Sequence, residues 1–312
     1  MFGPVPSRRL GKSLGINNIP PKTCTYSCVY CQLGRTTELT LKRRSFYDPK
    51  AVLQGVKSKL EELALRGEKA DYLTFVPDGE PTLDINLGRV ISLLKQTGIP
   101  VAVLTNASLI WYEDVKKDLL QADLVSLKID TLSEELWRKI DRPYQGLKLS
   151  VVLDGITGFA KEFKGKIITE TMLIDSIDYS EEFLKIADFL RSLKKLDKAY
   201  IAIPTRPPAE KWVWPAEEKT INHAFQVFSE ALGTEKVEYL IGYEGNAFSI
   251  TGKIEEDLLS IMSVHPMRQE QVLELLRQAN SDWSLIERLL RESKIMELTY
   301  QGNKFYMRRL SG

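Results

Sequence analysis

Apolar residues follow two rhythms along this chain. Short runs rich in β-branched and other apolar residues, Asp71–Val76, Pro100–Thr105, Ala122–Lys128, Lys166–Leu173 and Lys198–Ile203, predict strands. Between them, Ala51–Leu65, Ile85–Gln96, Glu113–Leu120, Ser133–Ile140, Leu147–Phe163, Ser180–Leu193 and Pro215–Leu232 place apolar residues every three or four positions and predict amphipathic helices. With an earlier strand around Leu14–Ile19 this gives about six βα units. Parallel strands need long helical crossovers, so the expected class is α/β, a partial parallel (β/α)6 barrel. Chemistry in such sheets gathers at the carboxyl ends of the strands.

From about Lys253 the pattern changes. Glu255–Val264, Arg268–Ala279 and Ser281–Ser293 read as three short helices, and Ile295–Tyr300 and Asn303–Arg308 flank Gln301-Gly302 as a hairpin. The expected division is a barrel over 1–250 and a winged-helix-like domain over 253–312. That domain carries nine basic and nine acidic side chains. A neutral balance is a poor footprint for duplex DNA, so protein docking, substrate gating or dimerisation is the favoured role. His265, before Pro266, reads as a structural polar contact.

Composition, 43% hydrophobic and 27% charged, is that of an ordinary globular chain. No apolar run approaches the roughly 20 residues of a membrane span, and Met1 is followed by no apolar signal core, so a cytoplasmic protein is expected. Net charge is +1, but residues 1–50 hold nine basic side chains against Glu38 and Asp48. Such a patch attracts phosphate or nucleic acid, or simply offsets local negative charge. Neutralising Arg43 and Arg44 is the corresponding test of RNA dependence.

Three cysteines, Cys24, Cys28 and Cys31, are all the chain has. Their odd number and the chain length argue against a disulfide framework. Structural zinc takes four closed ligands, and neither His223 nor His265 lies at a finger-like spacing from them. A 4Fe-4S cluster is normally held by four thiolates, so three would leave one iron open. A zinc site and inert buried thiols are the competing readings.

The C-x3-C-x2-C spacing, with Tyr30 before the third cysteine, resembles the radical S-adenosylmethionine superfamily. The resemblance implies that the open iron chelates the amino and carboxylate groups of S-adenosylmethionine, whose reductive cleavage yields a 5'-deoxyadenosyl radical. Pro77-Asp78-Gly79-Glu80-Pro81-Thr82, directly after a strand, resembles the superfamily's Gly-Gly-Glu motif with aspartate in its first position. Glu80 can accept from the cofactor's ammonium, and Gly79 permits close backbone approach. Thr105, Asn106 and Ser108 close the next strand and offer hydrogen bonds to ribose or carboxylate oxygens. Ser126, Lys128 and Asp130 alternate on one face, expected to line the barrel, as do Glu170 and Met172. Ile203 and Pro204 offer apolar and backbone contacts to adenine.

Gly3–Gly15, Asp78–Leu83, Leu104–Asn106 and Thr205–Pro208 together look similar to the wyosine-base synthase group, over roughly residues 3–250. That group carries a second cluster on additional cysteines, which this chain lacks. Arg142, Arg206 and Glu244 are candidate substrate contacts at the mouth. Trp212 and Trp214 suit either base stacking or the packing of a covering loop. The resemblance implies a flavodoxin-like or ferredoxin-like electron donor and, as leading substrate class, RNA. A peptide or small metabolite is the alternative substrate, and a metal-sensing DNA-binding regulator is the alternative of another class.

Overall fold

A computed structural model describes residues 1–76, 78–241 and 253–309. Strands β1 (Phe2–Ser7) and β2 (Gly11–Ile16) form an antiparallel hairpin. Two short strands, β3 (Thr23–Cys24) and β4 (Glu38–Leu39), pair within the long loop that follows. From β2 a parallel series continues through β5 (Tyr72–Phe75), β6 (Val101–Thr105), β7 (Leu124–Lys128), β8 (Lys166–Met172), β9 (Leu196–Ala202) and β10 (Val237–Leu240). The result is one curled, mostly parallel sheet of eight strands, ordered β1-β2-β5-β6-β7-β8-β9-β10.

This corrects the expected six units at both edges. The hairpin strand β1, Phe-Gly-Pro-Val-Pro-Ser, carries two prolines and a glycine and has no strand-like alternation, yet an edge strand tolerates them. The other edge strand, β10, is four residues long, too short to show a rhythm. The first parallel strand also begins earlier than Leu14, and residues 17–19 already belong to the loop.

Helices α1 (Pro49–Ala64), α2 (Leu87–Leu94), α3 (Glu113–Leu119), α4 (Glu134–Ile140), α5 (Leu149–Glu162), α6 (Glu182–Ser192) and α7 (Glu218–Leu232) provide the crossovers. Their starts follow local chemistry. Asp48 accepts from Lys50 N at 2.7 Å before Pro49 opens α1, and Ser133 accepts from Leu136 N to cap α4.

Period-two alternation sorts the strand side chains. Val125 and Leu127 join Phe75, Val103, Ile167 and Ile201 in the core under the helices. Leu124 turns the other way and packs with Leu10, Ala102, Ile168 and Tyr200. Leu10 comes from the tip of the β1–β2 hairpin, so that tip fills the concave side at the amino ends of the strands. Above it the concave face is polar: Ser126 pairs in register with Ile168, and Lys128 with Glu170.

The C-terminal segment forms α8 (Ile254–Val264), α9 (Gln269–Gln278) and α10 (Ser284–Arg291), with a sheet ordered β11-β13-β12 built from β11 (Met267–Arg268), β12 (Ile295–Tyr300) and β13 (Asn303–Arg308). The expected hairpin therefore has a third strand, two residues long, between the first two helices. Its core of Leu258, Ile261, Met262, Val272, Leu275, Ile286 and Tyr306 also contains Phe2 and Val5 of β1. Ser260 Oγ donates to the Met1 carbonyl at 2.8 Å, and Lys59 of α1 pairs with Asp257 at 3.3 Å. No described helix is long and apolar enough to cross a membrane.

Candidate active site

The three cysteines lie in the loop between β2 and α1, at the carboxyl end of the parallel sheet. Cys24 is fixed by the pairing of β3 with β4, in which Cys24 lies opposite Leu39. Cys31 N donates to Cys28 O and Gly34 N to Cys31 O, both at 3.1 Å, so the second half of the motif is a run of tight turns. Val29 N donates to Ile140 O at 2.9 Å, and Tyr26 bridges Pro143, which staples the loop to the segment after α4.

Polar groups from neighbouring strand ends surround the sulfurs. Asn106 Nδ2 lies 3.6 Å from Cys24 Sγ and donates to Thr25 Oγ1 at 2.8 Å, while Tyr26 N is 3.5 Å from Cys24 Sγ. The Cys28 thiol lies 3.5 Å from Asp141 Oδ1. The Tyr30 hydroxyl lies within hydrogen-bond distance of two carboxyls, Asp141 at 2.7 Å and Asp130, and its single proton can serve only one of them at a time. Burial pushes the Cys24 thiol up to about 12, with Glu80 adding to it. Burial first, and then Asp141 and the other two cysteines, raises Cys28 well above the ordinary thiol value.

Three soft sulfur donors on one half-buried loop suit iron-sulfur chemistry. Among the described residues no three His, Cys, Asp or Glu side chains are close enough to share a single ion. A polynuclear cluster takes its thiolates at its corners instead. By donor type, Cys24, Cys28 and Cys31 are the residues that could hold such a cluster, and amide N–H groups of Asn106 and Tyr26 are directed at Cys24 Sγ.

The residues after β5 and β6 act mainly on this loop. Glu80, 1% exposed, accepts from Thr82 N, Thr82 Oγ1, Thr105 Oγ1 and Asn106 N at 2.6–3.1 Å. The Ser108 hydroxyl is fully buried against Thr25 Oγ1 at 2.7 Å. Thr105 and Ser108, expected at ribose or carboxylate oxygens, thus have their hydroxyls engaged inside the protein. Gly79 has a reason different from cofactor approach: a Cβ there would overlap the Thr23 carbonyl oxygen and come within 2.9 Å of Ile19 Cδ1. Asp78, 2% exposed, accepts from Asn17 Nδ2 at 2.5 Å. Among the described residues its other oxygen and that of Asn17 are buried without a hydrogen-bond partner, and burial pushes the Asp78 carboxyl up to about 7.

On the concave face, Lys128 donates to Glu170 at 2.6 Å, lies 3.5 Å from Asp130 and sits 4.8 Å over the Tyr30 ring. Burial opposes its charge, but Asp130 and Glu170 outweigh burial and raise its pKa. Burial likewise opposes ionisation of Glu170, yet Lys128 and Arg9 bring that carboxyl down to about 2. Arg9, from the hairpin tip, reaches Glu170 at 2.6 Å and Ser126 at 3.5 Å. Met172 contributes its backbone N–H to Asp130 Oδ1 at 2.7 Å. Ser126, Lys128, Asp130, Glu170 and Met172 are therefore brought together. Arg9 and Asp141 are functional candidates that the sequence reading missed. Asp141 had a local signal, an acid directly before the Arg-Pro-Tyr segment; Arg9 had none, because its partner lies 161 residues away.

At the mouth, Glu210 binds Arg35 through Nε and Nη2 at 2.9 and 3.0 Å and Arg142 at 2.5 Å. Glu210 N donates to Val29 O at 3.0 Å. Arg206 contacts Gln32 Oε1 at 3.0 Å and His265 Nε2 at 2.9 Å, so His265 is a polar contact between the C-terminal segment and the cysteine loop. Half-buried Ile203 packs at the edge of the core, while the Pro204 carbonyl accepts from Tyr300 at 3.1 Å. Trp214 stacks on Tyr300 at 5.9 Å, and Trp212 is 40% exposed. Glu244 lies outside the described residues.

Among the described residues, Arg9, Lys12, Arg35, Arg43 and Arg44 of the basic residues in 1–50 are seen paired with carboxylates. Arg43 is 9% exposed, bound to Asp114 and Asp118 and to the carbonyls of Thr82 and Asp84. Arg43 is a structural residue, which disqualifies its neutralisation as a probe of RNA binding.

Residues 18–190 match the radical SAM superfamily. The chain is 48% identical over 310 residues to UPF0026 protein MJ1312 of Methanocaldococcus jannaschii, covering 99% of this chain and 96% of that one. Among solved structures, Streptococcus suis SuiB bound to S-adenosylmethionine superposes with a TM-score of 0.53 at 15% identity over 74% of this chain and 51% of SuiB, so the chain spans about half of that protein's length. TYW1 with a lysine-pyruvate adduct bound gives 0.50 at 16% identity over 69% of this chain and 73% of that one. At such identities the two structures share a fold with this chain.

Proposed function

The chain belongs to the radical SAM superfamily and to the UPF0026 group, and from that premise we propose that it is an enzyme that holds a 4Fe-4S cluster on Cys24, Cys28 and Cys31 and modifies RNA with S-adenosylmethionine as cofactor. When bound and supplied with one electron by a flavodoxin-like or ferredoxin-like donor, cluster and cofactor supply a 5'-deoxyadenosyl radical. The observation that carries the reading is that the loop bearing all three thiols lies at the carboxyl end of the sheet, with Asn106 against Cys24 and Asp141, held by Tyr30, against Cys28.

The protein's own residues position and shield. Glu80, Thr105 and Ser108 brace the cysteine loop against β6. Lys128 keeps a positive charge on the concave face, balanced by Glu170 and Asp130. Those charges suit the polar ends of a bound cofactor, and Ile203 supplies an apolar edge. Leu10 and Arg9 close the floor, so substrate enters from the mouth. The C-terminal segment, read as a winged-helix-like domain, leans on that mouth through His265 and Tyr300 and restricts water there. RNA is supported by the exposed rim: Arg35, Arg142, Tyr144 and Trp212 combine cations with aromatic faces, the pairing that single-stranded nucleic acid uses.

Anaerobic reconstitution followed by S-adenosylmethionine and dithionite tests the chemistry. 5'-Deoxyadenosine measured by mass spectrometry should form with the wild type and be absent with Cys28→Ala. A fully iron-loaded wild type that forms none, with or without RNA, would remove the proposal.

A further inference from the structure

We propose that Arg35 and Arg142 form a phosphate-binding subsite for the RNA backbone at the mouth, and that Glu210 occupies it as a built-in stand-in until RNA arrives. This rests on the RNA reading above and names the contact that reading needs.

The geometry is that of anion recognition. Two guanidiniums from separate loops converge on one carboxylate, Arg35 in the two-point fork that suits phosphate equally well. The cluster carries two positive charges against one negative. Glu210 engages Arg35 through Nε and Nη2 and Arg142 through Nη1, which leaves the Nη1 of Arg35 and the Nε and Nη2 of Arg142 outside its bonds. The Arg35 side chain is 71% exposed and that of Arg142 39%, against 11% for Glu210. The cations are therefore open to an incoming anion while the carboxylate sits beneath them.

Placement ties the pair to the chemistry. Arg35 follows Cys31 by four residues, and Arg142 follows Asp141, whose carboxyl touches Cys28. Arg142 also holds a left-handed backbone, φ +47°, which costs a non-glycine residue about 1–3 kcal/mol and persists where surroundings enforce it. Ser27 N, donating to the carbonyls of Asp141 and Arg142 at 3.1 Å, does so here. Tyr144, 39% exposed, and Trp212 lie two residues from Arg142 and Glu210 respectively. A phosphate on the arginines would set the adjoining base beside an aromatic face. Exchange of Glu210 for phosphate conserves the charge-assisted hydrogen bonds of both arginines, so the swap loses little, while Glu210 N on Val29 O and Arg206 on Gln32 keep the 203–216 segment on the cysteine loop.

Binding of a fluorescent single-stranded RNA to the cluster-loaded protein, over a series of salt concentrations, tests this. Glu210→Gln should tighten binding about tenfold by removing the competing carboxylate, and Arg35→Gln with Arg142→Gln should weaken it about tenfold. Loss of the one phosphate contact should also reduce the slope of log affinity against log salt by about 0.7, which loop damage alone would not do. Arg277→Gln, an exposed arginine on α9, should match wild type. Wild-type affinity and slope in all variants would overturn the subsite while leaving radical chemistry, read separately as 5'-deoxyadenosine without RNA, intact. Tightening by Glu210→Gln towards polyglutamate but not RNA would overturn it in favour of a peptide carboxylate.

Discussion

Asp78 is a carboxyl with one oxygen on Asn17 and the other, among the described residues, buried without a hydrogen-bond partner. In an unfolded chain it titrates near 4, and in the folded protein burial moves it to about 7. Between those values the folded state holds the extra proton, so this residue makes stability fall as pH rises through that window. Asp78→Asn should flatten the change of melting temperature between about pH 5 and pH 7; an unchanged slope would mean that Asp78 ionises freely. The motif around Asp78 was legible because its residues are neighbours in sequence. The chemistry of each was not, since Glu80 reads as an exposed acceptor until Thr82, Thr105 and Asn106 are seen to converge on it.

At the scale of elements, the cysteine loop depends on the turn after β5. Gly79 packs under the Thr23 carbonyl, next to Cys24, and a backbone atom cannot swing aside as a side-chain tip can. Gly79→Ala should cost about 1–3 kcal/mol by overpacking and should lower iron uptake on reconstitution relative to wild type, read by iron content and thermal melting. Normal loading and melting would show that the two loops move independently. The central strands β5 to β9 were readable because each is flanked by an amphipathic helix and carries clear apolar bias. The strand β1 was not, because Pro4 and Pro6 hide an edge strand that survives by pairing on one side only. Arg9, at the tip of the same hairpin, shows the complementary limit: a long-range ion pair leaves no mark in local sequence.

For the whole molecule, the boundary near residue 253 was visible as a change of rhythm, but the contacts across it were not. Phe2 and Val5 belong to the core built by α8, α9 and α10. Leu258→Ala should cost about 2–5 kcal/mol by opening a cavity and, by hydrogen exchange, should loosen residues 2–7 together with the C-terminal helices. Protection in β7 and β8 should be unchanged. Protection of β1 that survived the substitution would show that its pairing with β2 suffices.

That shared core sets an order of assembly. Strand β1 needs partners that are synthesised long after it, from Leu258 onward. Until α8 to α10 have been synthesised, Phe2 and Val5 have no complete core to enter, and the hairpin whose tip closes the barrel floor stays covered on one side only. A nascent chain stalled before residue 253 would therefore expose the apolar surface of Phe2 and Val5. Chaperones that patrol translating ribosomes would meet this protein there.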